Sequence, residues 1–283
     1  MSEYRPRIES MFREAGYRRV EWDDTHLWKS VKTLTWRGVA DGQAFFVKIR
    51  KGSSVVVATQ KEAYEILGGA IPSGTGVHVP EVLFCDPESG ILVTEEASGR
   101  LMTTCMLSSM GGLSGSRQLD DLSERAGRAL AVIHRHVPAG AGGDVLLYRD
   151  YSPQNLFVGG EPDGITLVDP PEKIEYGERE RDLGVATVEL MKQFLRSWRG
   201  MNPILWKRCR LRFLAGYRDS SGHEVDHARL AEYEMAHTGK LVALNKQYLM
   251  MKYGPGNAGK ALLRASLTMI LLVALKSFHL SRQ

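Results

Sequence analysis

Three side chains with oxygen donors lie close together in the middle of the sequence. Asp150 and Asn155 stand five residues apart in YRDYSPQNLFV, and Asp169 ends the next apolar run, GITLVD. Magnesium prefers hard oxygen ligands and is usually coordinated by substrate phosphates as well as by the protein. One carboxylate and one amide oxygen from the protein are therefore sufficient. Asp169 and Asn155 fit that role, and Asp150 fits the carboxylate that orients an attacking hydroxyl and accepts its proton. The set predicts a phosphoryl-transfer site.

The order of these residues along the chain indicates a phosphoryl-transfer site more specifically than their types do. Asp and Asn are common in turns and at strand exits, so each one alone is most often structural. Here an acid and an amide precede an apolar run, a turn, a second apolar run and a further acid. Two antiparallel strands joined by that turn would bring Asn155 and Asp169 side by side, with Asp150 close by.

The residues before this set predict a β-rich N-terminal part. Residues 31–49 form two β-rich runs around an Asp-Gly turn, a hairpin that places Lys48 in its second strand. Residues 59–67 have apolar side chains at helical spacing, and a Gly-Gly pair is expected to end that helix. Two more apolar strands follow between residues 79 and 99. A small sheet with one short helix is therefore expected.

The C-terminal part is predicted to be mainly helical. Residues 122–137 place four apolar side chains on one face, as an amphipathic helix would. Helical patterns then dominate from Arg181 to the end of the chain. Strands followed by helices predict an α+β fold.

In these motifs the sequence resembles the protein-kinase-like superfamily, and within it the aminoglycoside phosphotransferase and choline kinase branch. YRDYSPQNLFV is similar to that branch's HGDxxxxN catalytic loop, LVDPP stands where it has an Asp-led metal motif, and ERDLGVATVEL resembles the helix after it. The resemblance covers residues 31–190 in motif order. It implies a two-lobed kinase-like fold with ATP and magnesium between the lobes. Residues 1–97 would be a small β-rich nucleotide-binding lobe and residues 98–283 a larger helical catalytic and substrate-binding lobe.

The resemblance also implies roles for residues outside the acidic set. Lys48, in FFVKI, would hold the α- and β-phosphates of ATP, and Glu62, in KEAYEIL, would fix Lys48 by an ion pair. Read singly, a strand Lys and a helical Glu are usually surface charges. Their order ahead of the Asp150 segment favours the functional reading.

Two further segments have counterparts in the superfamily. LVTEEASG is similar to the hinge whose backbone meets the adenine edge, which would place Glu95, Glu96 and Ala97 near the nucleotide. Asp182, in RDLG, resembles the buried Asp that braces the catalytic loop. We interpret Asp182 as architectural.

The sequence departs from the superfamily's pattern at three places. EWDDTHLWKS, which stands where a glycine-rich loop would wrap the phosphates, contains no Gly. Pro170 and Pro171 replace the flexible pair after the metal-binding Asp, so no switch of that segment is expected. Arg149 precedes Asp150 as in the HRD loop of protein kinases, where small-molecule kinases mostly have Gly.

Three functions are consistent with these residues. The first is an ATP-dependent phosphotransferase acting on a hydroxyl of an aminoglycoside, amino alcohol or sugar. The second is a kinase of a lipid-linked saccharide or of a protein, and the third is a non-catalytic kinase-like binding module. The intact Lys48, Glu62, Asp150, Asn155 and Asp169 disfavour the third. An acidic cleft would favour a cationic aminoglycoside, and the candidates for it are Asp226, Glu232 and Glu234.

Composition narrows the class of protein. The 283 residues include 37 Lys and Arg against 33 Asp and Glu, a net charge of +4, with the basic residues too scattered to predict a nucleic-acid partner. Three cysteines without a CxxC pair predict neither a disulfide framework nor a zinc site, which favours a reduced cytoplasmic location. The mixed charges of the first ten residues do not indicate a secretory signal.

Two C-terminal segments and one pair of histidines each allow both a functional and a structural interpretation. Residues 254–260 match a phosphate loop but lack the strand before it, so an inter-helix turn is favoured. The apolar residues 265–275 are too few to span a bilayer and predict a buried helix or one resting on a membrane surface. His134 and His136 do not share a helix face, which disfavours a metal pair and favours surface or packing roles.

Overall fold

A computed structural model describes most of the chain. The described residues are 3–23, 28–29, 33–110, 113–140, 143–159, 164–195 and 203–253. The chain divides into two compact units, the first made of Met1–Gly99 with Phe157–Glu175 and the second of Arg100–Leu156 with Tyr176–Gln283. The lobes drawn from the sequence, residues 1–97 and 98–283, stay a prediction.

Strands dominate the first part of the chain and long helices the rest. Up to residue 95 the elements are α1 (Arg5–Glu14), β1 (Val20–Trp22), β2 (Trp28–Lys29), β3 (Thr33–Ala40), β4 (Gln43–Arg50), α2 (Ser54–Ala70), β5 (Val77–His78), β6 (Val82–Asp86) and β7 (Ile91–Glu95). They continue with β8 (Arg100–Leu101), α3 (Met102–Ser109), α4 (Leu113–His136), β9 (Val145–Leu146), β10 (Leu156–Val158), β11 (Ile165–Leu167), β12 (Tyr176–Gly177), α5 (Arg179–Leu195), α6 (Pro203–Ser221) and α7 (His227–Tyr253). The predicted α+β class is confirmed.

The main sheet of the first unit is built around a tight hairpin. Its strand order is β1-β3-β4-β7-β6, with β2 also pairing β3. Ala40 pairs with Gln43, so the loop has only two residues, Asp41 and Gly42, with φ of 46° and 89°. Positive φ at both central residues is the type I′ turn, whose twist matches that of the flanking strands. The predicted hairpin is confirmed.

Alternation along β4 decides which side chains face which helix. Phe45, Val47 and Ile49 are fully buried in the cluster that includes α1. Successive strand residues point to opposite faces, so Lys48 faces the other side of the sheet. Leu92, the partner of Lys48 on β7, packs there against α2. Lys48 is thereby directed to the α2 side.

Helix α2 is longer than the sequence pattern predicts. It begins at Ser54 and runs through both glycines to Ala70, so the expectation that Gly68 ends it is wrong. The helix instead stops at Ile71, whose ψ is 116°. Ile71 precedes Pro72, and the proline ring disfavours the helical conformation for the residue before it.

A small second sheet supports the predicted metal motif. Strand β11 lies between β5 and β10, and it runs parallel to β5 with Ile165 paired to Val77. The Gly159 N–H donates to the Gly164 carbonyl at 3.2 Å across the ends of β10 and β11. The two strands predicted ahead of Asp169 are confirmed, and most of the turn predicted between them lies outside the described residues.

The second unit is held by close helix pairs. A Cβ on Gly127 of α4 would lie 2.0 Å from the Phe213 carbonyl oxygen, and one on Gly216 of α6 would lie 2.3 Å from that of Glu124. Only residues without a Cβ allow backbones to come this near. The two glycines therefore set the spacing of α4 and α6.

Some of the sequence predictions fall outside the described residues. These are the loop at 254–260, the apolar segment 265–275 with its membrane-surface contact, and most of EWDDTHLWKS. Within the part of the chain that the structure describes, no helix is long and apolar enough to span a membrane.

Candidate active site

Lys48 pairs with Asp169 inside the first unit. The Lys48 ammonium forms an ion pair with Asp169 Oδ1, although the residues are 121 positions apart in sequence. The Lys48 side chain is only 12% exposed and that of Asp169 is 41% exposed. A lysine this enclosed requires a matching charge, because removing an unpaired ammonium from water is costly. Asp169 supplies that charge in the structure.

Helix α2 holds Asp169 in place. Asp169 adopts a φ of 57°, a left-handed conformation that is uncommon outside glycine. Its N–H donates to the Tyr64 hydroxyl at 3.2 Å, and Gln60 Nε2 donates to its Oδ1 at 2.8 Å. Burial raises the pKa of Tyr64, and the charge of Asp169 raises it further, so the hydroxyl stays protonated. We define Lys48, Gln60, Tyr64 and Asp169 as the lysine cluster.

The structure does not bring Glu62 to Lys48. Glu62 is exposed, whereas Gln60, Ala63 and Tyr64 lie on the buried face of α2. Among the described contacts, the Lys48 ammonium has Asp169 as its carboxylate partner, and no hydrogen bond or ion pair of Glu62 occurs. Sequence reasoning missed Gln60, although its spacing from Ala63 and Tyr64 places it on their face.

The hinge residues are held in two different ways. The Glu96 carboxylate makes a two-pronged ion pair with Arg37 at 2.8 and 2.9 Å. The main-chain N–H of Glu96 donates to the Ala44 carbonyl at 3.1 Å. Glu95 ends β7. Within the described residues, no hydrogen bond uses the main-chain N–H or carbonyl of Ala97. Main-chain groups of this kind require a partner, so Ala97 is able to hydrogen-bond water or a ligand.

The loop that carries Asp150 belongs to the second unit and is braced from α5. The fully buried Asp182 carboxylate accepts the N–H groups of Tyr148 and Arg149, the latter at 2.8 Å. Arg149 has a φ of 64°, and glycine adopts this conformation without strain. Asp150 follows with an exposed side chain. The predicted bracing role of Asp182 is confirmed.

Asn155 folds back onto Asp150. Its Nδ2 donates to the Asp150 carbonyl at 2.9 Å and to Asp150 Oδ2 at 3.2 Å. The Tyr151 hydroxyl anchors the same loop by donating to the Ala126 carbonyl at 2.7 Å. Burial raises the pKa of Tyr151, followed by the negative charge of Asp182, so this donor keeps its proton. We define residues 148–155 as the Asp150 loop.

The predicted magnesium ligands, Asp169 and Asn155, offer oxygen atoms of the types that this ion takes. No group of three or more His, Cys, Asp and Glu side chains suited to a metal occurs among the described residues. Because Nδ2 of Asn155 is engaged, its Oδ1 is the atom that remains for a cation. A carboxylate and an amide oxygen are hard ligands of the kind magnesium takes together with water and phosphate oxygens.

Solved structures of phosphotransferases share this fold. A Ralstonia eutropha JMP134 protein, provisionally assigned as an aminoglycoside phosphotransferase, has a TM-score of 0.64 at 16% identity over 95% of this chain and 97% of its own. A spectinomycin phosphotransferase solved with ADP and spectinomycin has 0.56 at 11% identity over 91% and 93%. WaaP, solved with acyl carrier protein, has 0.50 at 20% identity over 82% and 91%. A scan of family models and a search of curated proteins found no match.

The chain has a protein-kinase-like fold. It is the fold of the aminoglycoside phosphotransferases, so the fold expected from the motifs is confirmed. Because the three structures are only 11–20% identical to this chain, the similarity establishes a shared fold and nothing further.

His134 has the packing role, one of the two roles expected for it. Its side chain is 2% exposed. Nε2 lies 3.3 Å from Asp182 Oδ2 and Nδ1 lies 2.9 Å from the Tyr217 hydroxyl. The histidine therefore supports the carboxylate that braces the Asp150 loop.

The three acids proposed for a cationic acceptor are used within the fold. Glu234 is fully buried and pairs with Arg210 at 2.7 and 3.2 Å. Asp226 accepts two N–H groups at the start of α7, as an N-cap does. Glu232 pairs with Arg229, one turn away on the same helix, at 3.1 Å. Burial removes Glu234 as a candidate for an acidic acceptor site, and no described contact favours Asp226 or Glu232 for it.

Proposed function

We propose that this protein is an ATP-dependent phosphotransferase that moves the γ-phosphate to a hydroxyl of a small molecule. The observation that carries the proposal is the Lys48–Asp169 ion pair on the face of a kinase-like sheet. A lysine is able to contact phosphate oxygens and a carboxylate is able to bind magnesium, so this pair supplies the two kinds of group that a nucleotide and its metal require. The spectinomycin phosphotransferase of the same fold is solved with ADP, which supports a nucleotide ligand here.

The lysine cluster would bind the nucleotide. Lys48 contacts the α- and β-phosphates in this proposal, and Asp169 together with Asn155 binds magnesium. Magnesium bound to them would neutralise charge that develops on the transferring phosphoryl group. Glu95 and Ala97 would meet the adenine through main-chain groups. Glu62 has no structural support for its proposed pairing with Lys48.

The Asp150 loop would bind the attacking hydroxyl. An exposed carboxylate on a braced loop is suited to orient that hydroxyl and accept its proton. The two N–H bonds to Asp182 and the amide of Asn155 fix the loop before any substrate arrives. Such preorganisation reduces the rearrangement required during transfer.

Charge favours a sugar or an anionic acceptor over a polycationic one. The second unit contains 24 Lys and Arg against 14 Asp and Glu, a net charge of +10. The first unit contains 13 against 19, a net charge of −6. A unit this basic repels an aminoglycoside and attracts a negatively charged acceptor. Two of its acids, Glu234 and Asp226, are engaged within the fold.

The thiols support the cytoplasmic location proposed from the sequence. Cys85, Cys105 and Cys209 are all free, and the latter two are buried. Free cysteines of this kind are typical of a reducing compartment.

The proposal is tested by titrating ATP into the protein by calorimetry, with and without magnesium. We expect binding that magnesium tightens. ATP consumption is then measured with neutral sugars, sugar phosphates, amino alcohols and aminoglycosides, and also with lipid-linked saccharides and proteins. The absence of ATP binding in magnesium would exclude the kinase function and favour a non-catalytic module. ATP binding followed by transfer only to a lipid-linked saccharide or a protein would replace the small-molecule acceptor.

A further inference from the structure

Gln60 is a polar residue on an otherwise apolar helix face. It is 1% exposed and lies between Val57 and Tyr64 on the buried side of α2. Burying an amide costs free energy unless its donors and acceptor are matched. Glu62, two positions further along, is exposed. The buried polar side chain on this helix is therefore neutral, and the charged one is outside.

The Gln60 amide nitrogen donates both of its hydrogen bonds to the Asp169–Pro170 segment. Nε2 donates to Asp169 Oδ1 at 2.8 Å and to the Pro170 carbonyl at 3.1 Å. Tyr64 lies one turn further along α2 and receives the Asp169 N–H. Two residues of one helix face therefore hold the side chain and the backbone of Asp169 in its left-handed conformation.

The oxygen of the same amide is buried and unmatched. Among the described residues, no atom forms a hydrogen bond with Gln60 Oε1. Rotating the amide by half a turn would not resolve this, because it would set the oxygen against Asp169 Oδ1 and the Pro170 carbonyl, which are also acceptors. A buried acceptor without a donor is destabilising, and natural structures rarely retain one without a reason.

The Lys48 ammonium is a candidate donor for this oxygen, because Lys48 and Gln60 share a contact. It and Gln60 Nε2 both contact the single atom Asp169 Oδ1. Oε1 belongs to the same amide as Nε2, so the unmatched acceptor and the ammonium are both attached to groups that meet at Asp169 Oδ1. In this structure Lys48 forms an ion pair with Asp169. That ion pair would break when the Asp169 carboxylate binds a metal ion.

We propose that Gln60 positions the metal-binding carboxylate and is the neutral acceptor that receives Lys48 when Asp169 binds magnesium. The proposal rests on the proposed function. Because an amide carries no charge, Lys48 keeps its full positive charge for the phosphates. A helix carboxylate in the same place would neutralise part of it. Gln60 is a positioning residue, since it acts on ligands through Asp169 and Lys48.

The test compares ATP affinity with and without magnesium by calorimetry. Gln60→Met keeps the length of the side chain and removes both polar atoms. We expect it to lose about tenfold of the tightening that magnesium gives the wild type, since a hydrogen bond to a charged group is lost. ATP binding without magnesium should stay within about twofold of wild type, because Lys48 keeps its charge and its pairing with Asp169. Glu65→Ala, on the exposed face of the same helix, should match wild type in both titrations.

Two results would overturn the proposal. One is full retention of the magnesium effect in Gln60→Met. The other is an equal weakening with and without magnesium, which indicates a structural role only. Thermal unfolding of each variant monitors the fold.

A second variant covers the case in which Gln60→Met does not fold. Gln60→Glu is isosteric and adds a carboxylate beside Lys48, so ATP binding without magnesium should weaken. Unchanged binding there would overturn the role of Gln60 towards Lys48. If the wild type itself binds no ATP, the proposed function fails and this inference fails with it. If the wild type binds and the Gln60 variants behave like it, only the inference fails.

Discussion

At the scale of single residues, the two proposed site carboxylates have different partners. Asp150 is exposed and its Oδ2 accepts from Asn155, whereas Asp169 Oδ1 is contacted by Lys48 of β4 and Gln60 of α2. We therefore expect Asp150→Ala to lower kcat by about 10²–10⁴-fold, the usual contribution of a general base, and to leave ATP affinity unchanged. Steady-state kinetics and calorimetry check both. Wild-type turnover in this variant would contradict the role of Asp150.

Asp169→Asn is expected to act on metal-dependent binding. The neutral amide is a weaker magnesium ligand and no longer matches the charge of Lys48, so ATP affinity should become the same with and without magnesium. Asp86→Asn is the matched control, because Asp86 also ends a strand and pairs with a basic residue, Arg7, at 3.0 Å. Its magnesium effect should equal that of wild type. A retained magnesium effect in Asp169→Asn would exclude Asp169 as the ligand.

The candidate site residues that the sequence signals are those with a recognisable local motif. Lys48, Asp150, Asn155 and Asp169 each stand in a short pattern that predicts a strand or a loop. Gln60 has no such pattern, because its partner Asp169 is 109 positions away. Contacts over such separations depend on tertiary packing, which one sequence does not reveal. The family resemblance implies Glu62 as the partner of Lys48, although the helical phase places it on the outer face of α2.

At the scale of elements, the first turn of α5 fixes the Asp150 loop. Asp182→Asn keeps the size of the side chain but sets an NH₂ group against an N–H donor of the loop. We expect the free energy of unfolding to fall by about 2–4 kcal/mol, since bonds from a buried charge contribute about 1.5–3 kcal/mol each. Urea unfolding measures it, and kcat should fall as well because Asp150 is less well placed. Asp219→Asn, an exposed acid on α6, should change neither.

An unchanged urea midpoint in Asp182→Asn would show that the loop holds its shape without the brace. Lower stability with normal kcat would separate bracing from catalysis and limit Asp182 to a stabilising role.

Elements were predictable where local chemistry decides them. The hairpin followed from its Asp-Gly turn, and both turn residues have the positive φ that such a turn requires. The glycines of α2 did not predict where the helix ends. The helix continues through them to Ala70, and Pro72 disfavours the helical conformation at Ile71. The pairing of β5 with β11 joins residues 77 and 165, and no local signal marks that partnership.

At the scale of the whole molecule, the net charge of +4 conceals a division. The basic excess lies in the second unit, at +10, and the first unit is at −6. Composition alone yields only the sum. Residues 1–99 alone have a net charge of −2, and Phe157–Glu175, with five acids and one lysine, brings the first unit to −6 by joining them, which chain order does not indicate.

This division predicts how acceptor affinity depends on salt. At saturating magnesium and ATP, KM for an anionic sugar should rise several-fold between about 25 and 300 mM salt, because screening shortens the range over which the basic unit attracts it. KM for the uncharged parent sugar should stay nearly constant over the same range, and kcat for both should be unaffected. The uncharged sugar is the control for any effect of salt on ATP binding or on the fold. A polycationic aminoglycoside should be a poor acceptor at low salt and should improve as salt rises, since screening weakens its repulsion. Efficient transfer to an aminoglycoside with a KM that increases with salt would contradict the prediction and indicate an acidic acceptor site within the basic unit.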